Sequence, residues 1–151
     1  MKAKAVLGFT CGMLIAAAPP PSAPAIAPVT EVAGENGLLF VYRDYAEPII
    51  WAPAVKVDGR KIVGIGNGKY TAVSVTPGLH IVTLKWPIFA SQSGSQIGVR
   101  VEKGKTYFLE VTGVSRYIAP YVIESESGFI LVEPKVGMAS IQQCCTFQPP
   151  K

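Results

Sequence analysis

VDGRKIVGIGNGKYTAVSVTPGLHIVTLKW, residues 57–86, is the stretch that decides the fold. Three turn pairs, Asp58-Gly59, Asn67-Gly68 and Pro77-Gly78, separate runs that are rich in β-branched and aromatic residues. Asp-Gly and Asn-Gly readily adopt the positive φ angles of tight hairpins, and Pro-Gly suits a type II turn. The runs between them favour pleated, half-buried strands. The stretch therefore predicts consecutive strands joined by short turns.

Alternation of apolar and polar residues extends this pattern over the rest of the chain. The predicted strands are Leu38–Arg43, Ala54–Val57, Lys61–Ile65, Tyr70–Val75, Leu79–Trp86, Gln96–Glu102, Thr106–Val111, Tyr117–Ile123 and Phe129–Val132. Pro48 and Pro53 predict a loop or edge segment over 44–52, and Ser125–Gly128 is predicted to be a turn. The loop Pro87–Ser95 carries two apolar residues that we expect to be exposed, Ile88 and Phe89.

This succession of strands predicts an all-β protein, an antiparallel β-sandwich of about eight strands, either immunoglobulin-like or of a small surface-module type. A small closed barrel is the competing architecture. We place the sandwich domain at 37–135, after a signal peptide at 1–25 and a flexible lead-in at 26–36. The remaining residues, 136–151, form a C-terminal tail with at most a weak helix between Gly137 and Gln143.

The N-terminal residues have the layout of a secretory signal. Lys2 and Lys4 precede an apolar run from Ala5 to Ala18, which is followed by small residues and prolines. Cleavage is expected after Ala25 or Ala27, and an uncleaved membrane anchor is the alternative. The sequence therefore predicts export to the periplasm or outer cell envelope, with membrane contact only through the signal or a lipid anchor.

The charge pattern argues against a nucleic-acid partner. The full chain of 151 residues has 14 basic and 10 acidic side chains, a net charge of +4, and loss of Lys2 and Lys4 lowers it to +2. The basic residues are scattered along strands and turns, whereas nucleic-acid binding needs a clustered basic face.

The residues from Leu38 to Val132 resemble a bacterial family known only as domain of unknown function 2846. The resemblance is carried by Val41-Tyr42-Arg43, Val57-Asp58-Gly59, Gly68-Lys69-Tyr70, Pro77-Gly78-Leu79-His80 and Glu102-Lys103-Gly104-Lys105-Thr106-Tyr107. It implies a small β-sandwich in an exported, often lipid-anchored protein, and it supplies no catalytic or binding residues. Gly8-Phe9-Thr10 is a poor lipidation box and the apolar run continues past Cys11, which disfavours lipidation there.

Few residues suggest chemistry. His80 is the only histidine, and it follows a turn at the start of a strand, where a structural role is expected. A lone imidazole excludes a site built from several histidines, and acid–base work would require a partner held beside it. Gly64–Lys69 precedes strand-like residues rather than a helix, so it does not fit a phosphate-binding loop. We therefore expect no catalytic residues, no metal and no cofactor.

Cys144 and Cys145 are adjacent, and in an oxidising compartment such thiols react. Three outcomes stay open: a vicinal disulfide, a bond to another chain, or two free thiols. Zinc would need two further ligands.

Two tryptophans differ in their expected roles. Trp86 lies on the apolar stripe of its strand and is predicted to be core, whereas Trp51 lies between Pro48 and Pro53 and is the better candidate for an exposed binding contact. We expect a non-enzymatic module that contacts a protein or an envelope glycan through a sheet edge or its loops. The alternatives are an assembly protein cross-linked through Cys144 and Cys145, or a hydrolase built from scattered carboxylates and hydroxyls. The oligomeric state is left open.

Overall fold

The computed structural model describes residues 34–90 and 92–151, and their regular structure is mostly β. In order, the elements are β1 (Gly37–Arg43), β2 (Ala54–Val57), β3 (Arg60–Gly64), β4 (Lys69–Val75), β5 (Gly78–Lys85), a 3₁₀ turn (Ile88–Ala90), β6 (Ser95–Val101), β7 (Thr106–Ala119), β8 (Val122–Val132), α1 (Pro134–Cys144) and β9 (Thr146–Phe147). The predicted signal peptide at 1–25, Cys11 and most of the lead-in at 26–36 lie outside the described residues.

The strands form two sheets, which confirms the predicted all-β sandwich. The larger sheet has the order β8-β7-β1-β4-β9, and the smaller has the order β3-β2-β5-β6. The larger sheet is not wholly antiparallel, because β7 runs parallel to β1 and β9 runs parallel to β4. The chain visits the smaller sheet through β5 and β6 before β7 returns beside β1 in the same direction.

Strand β1 is the centre of the molecule because it is buried along its whole length. Leu39 and Val41 pack into the core between the two sheets. Leu38, Phe40 and Tyr42 point to the opposite face, where a second apolar cluster forms. A strand covered on both faces reads as a continuous apolar run rather than an alternating one.

Helix α1 covers that second face. It begins with Pro134, which is favourable in a first helical turn, and buries Gly137 and Ile141. A Cβ atom on Gly137 would collide with Phe108, whose Cδ1 would lie 2.7 Å away, so glycine permits the helix to approach the sheet closely. The helix is longer than the weak one expected at 137–143.

The residues after α1 join the two sheets. The backbone N–H of Gln148 donates to the carbonyl of Tyr70 in β4 (2.7 Å), and that of Lys151 donates to the carbonyl of Ile62 in β3 (2.8 Å). The segment 136–151, which we expected to be a separate tail, is therefore packed on the sandwich. Its apolar residues are too few and too unevenly spaced to show a clear helical period in the sequence.

The β7–β8 hairpin corrects the prediction for 117–128. The hairpin turns at Pro120 and Tyr121, so the predicted strand Tyr117–Ile123 straddles its turn. The predicted turn at Ser125–Gly128 is wrong, because these residues pair with Thr112–Ser115 inside the hairpin. Ser-Glu-Ser-Gly has turn-like composition, yet cross-strand bonds hold it in a ladder, among them Ser115 Oγ to Ser125 Oγ at 3.0 Å.

Candidate functional site

The most unusual buried group is the guanidinium of Arg43, the last residue of β1, whose side chain is fully excluded from solvent. It donates four hydrogen bonds to backbone carbonyls, those of Ala46 (2.6 Å), Pro48 (2.8 Å), Trp51 (2.7 Å) and Ile65 (3.2 Å). Its Cζ atom lies 5.0 Å from the centre of the Trp86 ring, a cation–π geometry. Carbonyl dipoles and an aromatic face thus solvate this cation.

Burial lowers the pKa of Arg43 to about 10, so the group stays charged at neutral pH. Buried charges are usually paired with an opposite charge. Among the described residues no carboxylate forms an ion pair with Arg43. Instead, three of its four carbonyl partners belong to the loop 44–53, so the bonds fix this loop against the sandwich.

Glu47 extends this organisation to two neighbouring segments. Its backbone N–H donates to the carbonyl of Gly113 (2.9 Å), and its carboxylate accepts the N–H of Ser115 (2.9 Å). Its carbonyl accepts a bond from the Gln92 side chain (3.0 Å). Loop 44–53, Gln92 and the hairpin from Gly113 onward are therefore held together at one end of the sandwich, which we call the apolar end.

The apolar end exposes large hydrophobic side chains. Ile50 is 78% exposed, and Ile88 and Phe89 are 92% and 82% exposed. The exposure expected for Ile88 and Phe89 is confirmed. Beyond Ser115 the hairpin continues as an arm, residues 116–124, whose exposed apolar residues are Tyr117, Ile118, Tyr121, Val122 and Ile123. Apolar side chains gathered at one place on a surface mark an interaction site more often than scattered ones do.

The two tryptophans take different positions at this end. Trp86 is buried, as predicted, and its indole N–H donates to Ser127 Oγ (2.7 Å). Trp51 is half-buried and packs against the core between the sheets, while its carbonyl accepts a bond from Arg43. The Trp51 side chain is therefore less exposed than its flanking prolines suggested. The neighbouring Ile49 and Ile50 are the exposed apolar residues of this loop.

A second polar cluster joins the β2–β3 turn to the start of β5. His80 Nδ1 lies 2.6 Å from Asp58 Oδ2, and Nε2 lies 2.8 Å from the Thr76 carbonyl oxygen. Asp58 Oδ1 also accepts the N–H of Ile81 (2.9 Å). Both imidazole nitrogens face acceptors, an arrangement that favours the doubly protonated, cationic ring.

This cluster is poorly suited to catalysis. The hydrogen bond that His80 donates to the Asp58 carboxylate raises the pKa of His80 and lowers the pKa of Asp58. A general base needs a nitrogen lone pair that can reach substrate, and here both nitrogens are engaged within the chain. An open cleft of about 630 Å³ adjoins the pair, lined among others by Arg60, Ser74 and Lys151. The geometry supports a structural role for His80 at the turn.

Cys144 and Cys145 form a vicinal disulfide in this structure, the first of the three outcomes left open by the sequence. Cys145 is buried where α1 ends, and its N–H donates to the carbonyl of Ile141 (3.1 Å). Within the described part of the chain, no group of three or more His, Cys, Asp or Glu side chains could hold a metal ion. None of the helices in that part combines the length and apolar character required to traverse a bilayer.

Arg43 and Glu47 were missed as organising residues by sequence reasoning. The only sequence signal for Arg43 was its place directly after the apolar run Leu38–Tyr42. A cation at such a position ordinarily predicts an exposed strand end. Glu47 had no local signal, because its partners at Gln92, Gly113 and Ser115 are distant in the chain.

The fold and these clusters define a β-sandwich domain with a covering helix, an apolar end and an internally saturated histidine. Comparison with protein families assigns it further: the chain belongs to the family described as protein of unknown function (DUF2846), whose model matches residues 33–128. The resemblance seen in the sequence is thereby confirmed. No curated protein matches the chain.

We predict that Arg43→Lys destabilises the protein by about 2–4 kcal/mol, because a single ammonium cannot serve four carbonyls or stack on Trp86. Urea unfolding followed by circular dichroism measures the change. Arg100→Lys, at an exposed position of β6, is the matched control and should change stability by less than about 0.5 kcal/mol. Equal effects of the two substitutions would contradict the assigned role of Arg43.

The pH dependence of stability follows from the Asp58–His80 pair. The pKa of His80 is raised on folding, so its contribution is complete below the unfolded value of about 6.5 and is lost as pH rises through the folded pKa. The pKa of Asp58 is lowered, so its contribution is present above about 3.9 and is lost as pH falls through the folded pKa.

The test compares wild type with His80→Asn by urea unfolding across this range. The stability difference between them should be largest between about pH 4 and 6.5 and should shrink toward pH 9. A stability difference that stays constant from about pH 5 to about pH 9 would contradict a charged His80.

Proposed function

We propose that this protein is an exported module of the bacterial cell envelope that binds another protein through its apolar end and catalyses no reaction. The observation that carries the proposal is the group of exposed residues Ile49, Ile50, Ile88 and Phe89, held on loops that Arg43 and Glu47 fix in place. A pre-ordered loop loses little conformational entropy on binding, so exposed apolar area there contributes efficiently to affinity.

Two further observations support this reading over the alternatives. The His80 nitrogens are engaged with Asp58 and Thr76, so this histidine has no free nitrogen to support acid–base chemistry in a hydrolase. The bond between Cys144 and Cys145 occupies both sulfurs, which weakens the case for a cross-linked assembly protein. Among envelope ligands, aliphatic Ile50 and Ile88 suit an apolar protein surface better than a glycan, which prefers flat aromatic faces.

Export is tested by expressing the full chain in a bacterium and measuring the intact mass of the protein in the periplasmic fraction. We expect a mature chain that begins at Ile26 or Pro28, because the small residues Ala25 and Ala27 precede these positions. Leu14→Arg, which interrupts the apolar run, should leave the chain uncleaved and outside the periplasm. An intact chain beginning at Met1 in the cytosol of the wild type would contradict export.

Binding is tested by placing a photo-cross-linking amino acid at Phe89, or at Leu79 as the control, and irradiating the living cells. Leu79 is 60% exposed and lies at the other end of strand β5 from the segment that carries Phe89. We expect one discrete protein adduct at Phe89 and none at Leu79. Ile50→Ser should reduce the adduct about fivefold, equivalent to about 1 kcal/mol of contact energy.

The glycan alternative is measured in the same strains. Purified peptidoglycan is mixed with the protein and sedimented. Co-sedimentation that is lost in Ile50→Ser, without a protein adduct at Phe89, would replace the protein partner by a glycan. Adducts of equal yield at Phe89 and Leu79 would contradict a binding role for the apolar end.

A further inference from the structure

Strand β8 is an open edge of the larger sheet. It has 11 residues, pairs with β7 on one side, and has no strand beside it on the other side within residues 34–90 and 92–151. A long edge strand offers a row of unpaired backbone donors and acceptors, which is a template for pairing with another chain. Many edges are blocked by a bulge or a proline, whereas β8 contains no proline and its register irregularity is confined to the Val122 end.

The residues of β8 are arranged nearly symmetrically about Ser127. Apolar residues lie at both ends, Val122 and Ile123 at the start and Leu131 and Val132 at the finish. The two carboxylates, Glu124 and Glu126, lie between them. If a second β8 pairs antiparallel with its centre at Ser127, Val122 lies opposite Val132 and Ile123 lies opposite Leu131.

The same register avoids direct opposition of like charges. Glu124 would face Ile130 of the second copy, and Glu126 would face Gly128. Each carboxylate also has a counter-charge within its own chain, because Arg116 bonds Glu124 at 2.9 Å and Glu126 at 3.2 Å. Like charges placed directly across a strand pair are destabilising, so this register is favourable where a shifted one would not be.

The two ends of β8 differ in shape. At its start the arm 116–124 projects beyond the sandwich, and Tyr121 at its tip is fully exposed. At its finish lies a surface hollow of about 470 Å³, lined by Glu102, Lys105, Tyr107, Leu131, Val132 and Pro134 among others. A register centred on Ser127 brings the tip of each arm to the hollow of the other copy, at both ends simultaneously.

We propose that two copies of this chain form a two-fold dimer in which their β8 strands pair antiparallel about Ser127 and each arm tip occupies the hollow of the other copy. The interface is isologous, so every favourable contact is made twice. It joins the two larger sheets into one continuous sheet. The dimer requires neither the envelope partner nor export, so it stands or falls independently of the proposed function.

The test begins with the mass of the wild-type protein in solution, measured by light scattering after gel filtration. We expect twice the mass of the chain. Ile123→Glu should raise the dimer dissociation constant at least about tenfold, because it buries a charge opposite Leu131. The control is Ile81→Glu, an exposed apolar position on β5 in the smaller sheet, which should leave the dimer intact.

A cysteine cross-link tests the register. In Ile123→Cys/Leu131→Cys the two new thiols of one chain are about 26 Å apart along β8, too far for a disulfide. The proposed pairing instead places position 123 of each chain beside position 131 of the other chain. Air oxidation catalysed by copper phenanthroline should give a covalent dimer on non-reducing gels. Each single variant should give none, because identical positions lie far from the two-fold axis.

The outcomes separate clearly. A dimer by mass together with a cross-link only in the double variant supports the proposal. A monomer at concentrations of about 100 μM, two decades above the micromolar range of weak specific complexes, overturns it. A dimer that cross-links equally in the single variants, or that Ile81→Glu disrupts, overturns the β8 interface and assigns dimerisation to another surface.

Discussion

The buried cation Arg43 is the constraint on which the apolar end of this sandwich depends. A guanidinium without a carboxylate partner is costly to desolvate unless several dipoles replace water, and its fork of donors does this by binding four carbonyls. Three of those carbonyls belong to the proline-containing loop 44–53, which has no regular structure of its own. The loop therefore takes its shape from the end of β1, and Trp86 closes the site from the opposite sheet.

The position of β1 explains why a single residue, Arg43, can connect the core of the sandwich to loop 44–53. The strand is first in the described chain and central in its sheet, with β4 antiparallel on one side and β7 parallel on the other. One face meets the smaller sheet, and the other meets α1. Arg43 lies where this strand leaves the core, so its hydrogen bonds attach loop 44–53 at the apolar end to the central strand.

The sequence predicts local features well. Turn pairs such as Asp58-Gly59, the alternation along β5 and the burial of Trp86 follow from short-range chemistry, and all are present in the structure. The turn of the β7–β8 hairpin was misplaced because Ser125–Gly128 has turn-like residues whose cross-strand partners outweigh composition. The candidate site was largely hidden, since Arg43 and Glu47 act through carbonyls and amides remote in the chain, which leave no pattern in a sequence.

The placement of α1 has a consequence for how the molecule is assembled. The apolar cluster on the outer face of β1 is completed by residues of α1 that come about a hundred positions later, among them Ile141. A chain that emerges from its N-terminal side cannot complete this second apolar cluster until the helix has been synthesised, whereas the core between the sheets contains no residue of the helix. Contacts so distant along the chain slow folding, so this layer of the molecule forms only after nearly all of the chain has been synthesised.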